Sequence, residues 1–164
     1  MAPITIFLDK VVKVINFILI ILLSSLVIVM FASVVWRYFF NLPFSWAEQF
    51  TGWTFVWLTY LGAAVAYRRG SHIGVDVVVK KLPDSIRFIV SIVMDLSIGC
   101  FLLVFIYYGF VITITTFGQA YGAFELPPSY MYAAGPVSGF LMFLCMIEGL
   151  INRFVDFQNT RKGA

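Results

Sequence analysis

Long apolar tracts alternate with short charged segments along this chain. Four tracts contain no Asp, Glu, Lys or Arg, or only one such residue, and they cover residues 14–35, 49–67, 88–124 and 126–147. A helix needs about 20 apolar residues to cross the hydrocarbon core of a membrane. The pattern predicts an all-α integral membrane protein with four transmembrane helices in a single membrane domain, residues 1–164. The predicted spans lie near residues 14–39, 46–67, 86–117 and 129–152.

Residues that end or begin helices separate the tracts. Pro43 cannot continue the first helix, because it lacks a backbone N–H. Ser45 and Glu48 have the spacing of a capping box and predict the start of the second helix. Pro83 and Pro127 precede the third and fourth helices. The first apolar run is too long for a signal peptide and has no small-x-small cleavage site after it, so we expect it to be retained.

Between the second and third spans, residues 73–82 predict a further short helix. On a helical wheel, Val75 and Val79 lie on one side, and the charged residues Asp76 and Lys80 lie on the other. Such a segment favours the cytoplasmic interface of the membrane. A plain loop is the alternative, since valine is a mediocre helix former.

The composition agrees with a membrane protein. The chain has 164 residues, of which 62% are hydrophobic and 12% are charged, and its mean hydropathy is +0.97. A soluble domain is about 45–50% apolar and about 25% charged, and a soluble fold this short could not bury so much apolar surface.

The basic residues predict the orientation. Of the 11 Lys and Arg residues, all but Arg37 lie in the N-terminal tail, the middle loop or the C-terminal tail. Four spans put these three segments on one side, and basic residues are retained on the cytoplasmic side of bacterial membranes. We therefore expect a multi-pass protein of the bacterial inner membrane with both termini in the cytoplasm. The loops at 40–45 and 118–128 then face the periplasm.

The chain holds few residues suited to redox or metal chemistry. His72 is the single histidine, so no pair of histidines can hold a b-type haem. Cys100 and Cys145 lie within spans and form no Cys-x-x-Cys pair, so we expect both to be small buried packing residues. We expect no catalytic, cofactor-binding or metal-binding residue, no cofactor, no nucleic-acid partner and no enzymatic activity.

Charges next to the membrane need partners, because an unpaired charge there is costly. Arg37 ends the first helix and Glu48 begins the second, each at the helix end that favours its sign. We expect the two side chains to pair and to lock the outer ends of these helices. Glu148 lies near the inner end of the fourth helix, and we expect it to reach the interface or to meet Arg153.

Asp95 is the one charge inside the third span. Ser91 and Gly99 lie one turn to either side and form with it a narrow stripe suited to close contact with another helix. A proton-coupled role for Asp95 is the alternative, but an ion pathway needs several polar groups at the membrane midplane.

The second helix carries two different stripes. The aromatic stripe is Trp46, Phe50, Trp53 and Trp57, and the small-residue stripe is Gly52, Thr59, Ala63 and Ala66. Because small residues let helix backbones approach, we expect the small-residue stripe to pack inward and the aromatic stripe to face lipid or another subunit. The fourth helix carries the contact motif Gly135-x-x-x-Gly139.

Several short motifs within residues 33–83 resemble one family. They are Arg37-Tyr38, Ser45-Trp46-Ala47-Glu48, Trp57, Leu61-Gly62-Ala63-Ala64, Arg68, His72-Ile73 and Val75-Asp76. Together they resemble the small membrane subunit of the tripartite ATP-independent periplasmic (TRAP) transporters, the DctQ-like family. The four-span length extends the resemblance over nearly the whole chain. Many members carry a second Glu where this chain has Gln49, so no role that needs two carboxylates is expected here.

The resemblance implies a system of three parts. A periplasmic substrate-binding protein captures an organic acid, a large multi-span subunit carries it inward with sodium as a symporter, and the small subunit scaffolds the large one as a heterodimer. The substrates are carboxylates such as C4-dicarboxylates and sialic acids, and the sequence resembles the sialic acid systems most. The candidate structural or partner-contact residues are Arg37, Trp46, Glu48, Trp53, Trp57, His72, Asp76 and Asp95.

Two other functions stay open from the sequence alone. The chain could be the membrane anchor of a respiratory enzyme, which would bind haem or quinone, although the lone histidine counts against this. It could also be a small transporter that works alone, although it supplies few polar groups at the membrane midplane.

Overall fold

The structure is a computed structural model, and it describes residues 3–40, 45–70, 84–120, 122–123 and 125–162. Helices dominate these residues, which confirms the predicted all-α fold. The helices are α1 (Pro3–Phe40), α2 (Ser45–Gly70), α3 (Asp84–Thr115), α4 (Ser129–Tyr132) and α5 (Ala134–Lys162). The predicted helix at 73–82, together with His72 and Asp76, lies outside the described residues.

Three helices begin close to where the sequence predicts. The first residues of α2, α3 and α4 are Ser45, Asp84 and Ser129. In contrast, α1 begins at Pro3, well before the predicted residue 14, and α5 continues to Lys162. Charged residues end an apolar tract, but they do not end a helix, because Lys and Glu are good helix formers. Hydropathy therefore locates the membrane crossing better than it locates the helix ends.

The predicted single helix at 129–152 is interrupted, because the structure separates α4 from α5 at Ala133. Pro136 has no N–H to donate to the carbonyl of Tyr132, so one backbone hydrogen bond of the regular α-helix is missing there. The backbone N–H of Ala133 donates to Ser129 at 2.9 Å, and that of Val137 donates to Ala133 at 3.2 Å. Because these bonds span the break, α4 and α5 follow each other as a nearly continuous helix.

Three stretches of the described chain are long and apolar enough to cross a membrane: Thr5–Phe40, Ile89–Thr115 and Ser129–Ile151. They correspond to the first, third and fourth predicted spans. Helix α2 is long enough but less apolar, since its Thr, Gly and Trp residues lower its hydropathy. The multi-pass membrane fold is thus supported, and the second crossing stays a prediction.

The long helices pack as a row. Helix α1 packs mainly on α2, α2 also packs on α5, and α3 packs mainly on α5. A buried cluster of Leu8, Ala64, Leu141 and Cys145 joins α1, α2 and α5. Helices α2 and α5 therefore lie in the middle of the row, whereas α1 and α3 lie at its edges.

Glycines allow α3 and α5 to pack closely. A side chain at Gly139 would come within 3.0 Å of Ile106 Cγ1 and 3.1 Å of Phe105 Cδ1, and one at Gly135 within 3.5 Å of the Phe105 ring. On the other helix, a Cβ on Gly99 would meet the end of the Met146 side chain at 2.6 Å. The predicted contact motif Gly135-x-x-x-Gly139 is confirmed, and its partner is α3.

Candidate functional site

An ion pair joins one end of α1 to the start of α2. Arg37 Nη2 lies 3.3 Å from Glu48 Oε1, and the two side chains are 61% and 75% exposed. Arg37 is in the last turn of α1 and Glu48 is in the first turn of α2. Each charge therefore complements the partial charge of its own helix end. The predicted contact between these two residues is confirmed.

The predicted faces of α2 are wrong. Its four small residues, the stripe of Gly52, Thr59, Ala63 and Ala66, are all exposed. Three of the four aromatic residues, Phe50, Trp53 and Trp57, are half-buried, and Trp46 is 39% exposed. The buried side chains of α2 are instead Ala47, Thr54, Leu61, Ala64 and Val65. Apart from Thr54 these buried side chains are apolar, and on a helical wheel they lie next to the aromatic stripe.

Trp57 has a specific partner inside the chain. Its indole N–H donates to the backbone carbonyl of Tyr130 in α4 at 3.0 Å. An indole N–H inside an apolar medium needs an acceptor, and the short helix α4 offers one. The aromatic stripe therefore packs against α4 at this point, whereas the sequence predicted a contact with lipid or with another subunit. A hydrogen bond to a backbone carbonyl across the fold leaves no local sequence pattern.

An open cleft of about 650 Å³ lies at the same end of the helices as the Arg37–Glu48 pair. It is lined by Ser45, Glu48, Gln49, Gly52 and Trp53 of α2, by Thr116, Gln119, Gly122 and Ala123 after α3, and by Pro128, Met131 and Tyr132. Gly122 has φ +77°, and a side chain there would collide with the Gln49 side chain. Glycine is favoured at this point by its backbone angle, and its missing side chain lets the end of the Gln49 side chain lie against the loop.

A second charged cluster lies at the opposite end of the helices. Arg68 of α2 donates through Nη1 to Glu148 Oε2 in α5 and through Nη2 to Asp9 Oδ1 in α1, the latter at 3.0 Å. The Glu148 side chain is 3% exposed, the Arg68 side chain 13% and the Asp9 side chain 59%. One guanidinium thus joins three helices through two carboxylates.

This cluster corrects the prediction for Glu148. The sequence predicted that Glu148 reaches the interface or meets Arg153, but the side chain is buried and pairs with Arg68. Its Oε1 has no hydrogen-bond partner in the described part of the chain. Arg68 and Glu148 are far apart in the sequence, and only the packing of α2 on α5 brings them together. The resemblance had included Arg68 in a motif, but no local spacing indicated its partners.

Asp95 lies inside the helix bundle, as the stripe in α3 predicts. It is 6% exposed, and Ser91 on the same stripe is 9% exposed. Of the two cysteines, Cys145 is buried as predicted, whereas Cys100 is exposed, so the prediction for Cys100 is wrong. The row arrangement explains this, because α3 lies at an edge and only one of its sides is covered.

Among the described residues, no group of three or more His, Cys, Asp and Glu side chains could hold a metal ion. The ion pairs of the described residues form one isolated pair, Arg37 with Glu48, and one three-residue cluster, Arg68 with Asp9 and Glu148. Such arrangements join helices. The site is therefore best described as two helix-joining charge clusters, an aromatic contact and an open cleft.

Comparison with known proteins places these features in a family context. Residues 26–156 match the DctQ component of the tripartite ATP-independent periplasmic transporters. A Haemophilus influenzae protein described as a TRAP transporter small permease protein is 31% identical over 134 residues, which are 80% of this chain and 81% of that protein. The C4-dicarboxylate TRAP transporter small permease protein DctQ of Vibrio cholerae is 32% identical over 48% of this chain and 34% of its own length.

A third relative is much longer than this chain. The sialic acid TRAP transporter permease protein SiaT of Haemophilus influenzae is 27% identical over 73% of this chain. The matched region makes up 20% of SiaT. A segment similar to this chain thus occurs within a far longer permease polypeptide.

Proposed function

The chain belongs to the DctQ family of tripartite ATP-independent periplasmic transporters, and on that premise we propose that it is the small membrane subunit that scaffolds a large, multi-span transport subunit. It is a component of a transporter and not an enzyme. The proposed complex takes up an organic acid, sialic acid or a C4-dicarboxylate, in symport with sodium, after a periplasmic binding protein has captured it. Its proposed location is the bacterial inner membrane.

The relative SiaT supports a large partner for this chain. There, a region similar to this chain makes up 20% of one permease polypeptide. Two proteins that assemble gain effective concentration when they are linked in one chain. We infer that the remainder of such a permease corresponds to a separate large subunit in the system to which this chain belongs.

The observation that carries the scaffold role is the position of Arg68. A carrier for a carboxylate needs a cation that is free to bind it. Of the Lys and Arg side chains whose exposure the structure describes, that of Arg68 is the most buried. It is held between Glu148 and Asp9, which neutralise it. A guanidinium that already pairs with two carboxylates joins helices and is not available to bind a transported carboxylate.

The same two charge clusters support a membrane crossing for α2. Glu48 at its start lies beside Arg37 of α1, and Arg68 near its end lies beside Asp9 of α1. The residues from 48 to 68 span about 30 Å at 1.5 Å per residue, which matches the hydrocarbon core. We therefore propose four spans, with both termini in the cytoplasm as the basic residues predict.

Co-purification tests the scaffold function directly. We expect a tagged copy of this chain to purify in a fixed ratio with a multi-span TRAP permease co-expressed from the same bacterium. Liposomes that hold both proteins, supplied with the binding protein, should take up a carboxylate only under a sodium gradient. Uptake by liposomes that hold this chain alone would overturn the scaffold role, and bound haem or quinone would instead favour a respiratory anchor.

A further inference from the structure

We propose that the groove between α1 and α2, at the end where Arg68 lies, binds the headgroup of an anionic phospholipid through Lys13 and Arg69. This inference goes beyond the proposed scaffold function and does not depend on it. Three observations carry it: two cations that form no ion pair among the described residues, a hydrogen bond from Arg69 to a residue one turn from Lys13, and an open apolar groove that leads away from them.

Two basic side chains supply the positive charge of the site. Lys13 and Arg69 are both exposed. The ion pairs of the described residues involve Arg37 and Arg68, and neither Lys13 nor Arg69 takes part in one. Asp9 lies one helical turn before Lys13, but its carboxylate accepts from Arg68. Arg68, Asp9 and Glu148 together carry a charge of −1, so a net charge of +1 remains at this point once Lys13 and Arg69 are added.

A hydrogen bond holds the site together. Arg69 Nη2 donates to Asn16 Oδ1 at 3.3 Å across the contact between α2 and α1. Asn16 lies one turn after Lys13, so this bond directs the Arg69 guanidinium towards the side of α1 that carries Lys13. The amide of Asn16 also keeps donor hydrogens for an oxygen atom of a ligand. Two cations and an amide thus face one position, which suits a phosphate group.

The depth of the site matches a lipid headgroup. Lys13 directly precedes the uncharged tract 14–35, and Arg69 follows the uncharged tract 49–67 after one further arginine. Both cations thus lie where the apolar part of their helix ends, which is the level of lipid phosphates. Basic pockets between transmembrane helices are a known means of binding anionic lipids.

The groove that leads away from this position is open and apolar. On α1, Phe17 and Ile20 follow Lys13 by one and two turns, and each is 64% exposed. On α2, Ala66 and Gly62 precede Arg69 by one and two turns. Ala66 is exposed, and a Cβ added to Gly62 would meet nothing within 4 Å. Bulky side chains on one wall and small ones on the other leave space for an acyl chain beside the headgroup.

Native mass spectrometry of the full-length protein in detergent tests the proposal. Phosphatidylglycerol and phosphatidylcholine are titrated in parallel, and we expect the anionic lipid to bind more tightly. A cation near a membrane contributes about fivefold to the binding of anionic lipid, so Lys13→Gln and Arg69→Gln should each weaken phosphatidylglycerol binding by about that factor. Lys13→Arg keeps the charge and should keep the affinity.

Lys10→Gln is the matched control. Lys10 is exposed and carries the same charge as Lys13. Because six residues separate it from Asn16, at about 100° per residue, it lies about 120° around α1 from Asn16, whereas Lys13 lies about 60° from it. An equal loss of binding in Lys10→Gln would overturn the proposal, because general surface charge would then explain the affinity. Equal binding of the two lipids would also overturn it. Complete displacement of phosphatidylglycerol by millimolar inorganic phosphate would show a site for a soluble anion and would overturn the lipid assignment.

Discussion

The Arg68 guanidinium donates to the buried carboxylate of Glu148, a residue 80 positions later in the chain. Each member depends on the other, because a charge buried alone in a helix bundle is strongly destabilising. The second contact of Arg68, with Asp9, lies at a more exposed position and adds less. The pair therefore fixes α2 against α5, and Asp9 adds α1 to the same junction.

Removal of Arg68 should destabilise the protein far more than removal of Asp9. Arg68→Gln leaves Glu148 buried without a cation, and we expect a loss of about 3–5 kcal/mol in the free energy of unfolding. Asp9→Asn breaks a partly exposed contact and should cost at most about 1 kcal/mol. Unfolding of the purified protein by denaturant in mixed micelles measures both values.

A double variant separates the charge from the packing. Arg68→Gln combined with Glu148→Gln removes the unpaired charge and should recover part of the loss seen in Arg68→Gln alone. If the loss in the double variant equals or exceeds the sum of the two single losses, the two side chains do not act as a pair.

Arg37 and Glu48 should couple weakly. Both side chains are more than half exposed, so we expect a coupling of about 0.2–1 kcal/mol between Arg37→Ala and Glu48→Ala in a double-mutant cycle. The cycle is measured on unfolding and, separately, on assembly with the large subunit. Additive losses in both measurements would mean that the contact contributes nothing.

The glycines of α5 and α2 should respond differently to an added methyl group. A Cβ on Gly139 would lie 3.0 Å from Ile106 and 3.1 Å from Phe105, whereas one on Gly52 would meet nothing within 4 Å. Both changes to alanine raise helix propensity by the same amount, so the difference reports packing alone. We expect Gly139→Ala to be less stable than Gly52→Ala by about 1–3 kcal/mol. Equal stabilities would show that α3 and α5 separate readily at this point.

The sequence predicted the all-α fold and where three of the helices begin, and it failed where contacts depend on assembly. Helix starts follow from Pro, Ser and Asp, which act on the backbone next to them in the sequence, so α2, α3 and α4 begin as expected. The contact of Arg37 with Glu48 was also predictable, because a short loop joins the two helix ends. The pair of Arg68 and Glu148 was not, because it depends on which helices become neighbours.

The faces of α2 were mispredicted for a related physical reason. Within a membrane, small residues let any helix approach, whether it belongs to the same chain or to another, so a small-residue stripe does not identify its partner. In this chain the stripe of Gly52, Thr59, Ala63 and Ala66 is exposed, and an apolar stripe with Leu61 and Val65 is buried. Hydrophobicity cannot separate an internal face from an external one when lipid is the solvent.

The orientation of the spans can be tested with reporter fusions. A phosphatase or fluorescent reporter fused after Val75 or after Thr160 should report the cytoplasm, and one fused after Gly122 should report the periplasm. We expect these sides because most Lys and Arg residues lie in the tails and the middle loop, and such residues are retained in the cytoplasm. The opposite set of signals would refute the prediction, because it would mean either that the orientation is reversed or that α2 does not cross. A reporter at the N-terminus separates these two cases, since it stays cytoplasmic only in the second.

The final prediction concerns Asp95, a buried acidic residue inside the described span Ile89–Thr115. Its side chain is 6% exposed, and it lies on the stripe of α3 that includes Ser91 and Gly99. Sodium sites use several oxygen ligands around one position, whereas the stripe of Ser91, Asp95 and Gly99 offers side-chain oxygens from Asp95 and Ser91 alone. If the scaffold function holds, Asp95→Asn keeps the shape of the side chain, leaves the contact of α3 with the bundle in place, and does not change transport chemistry. Uptake is measured in liposomes that hold the assembled complex, with sodium and substrate each titrated. We expect both half-saturating concentrations to match the wild type, whereas a several-fold shift in either one, with normal assembly, would show that this subunit takes part in transport itself.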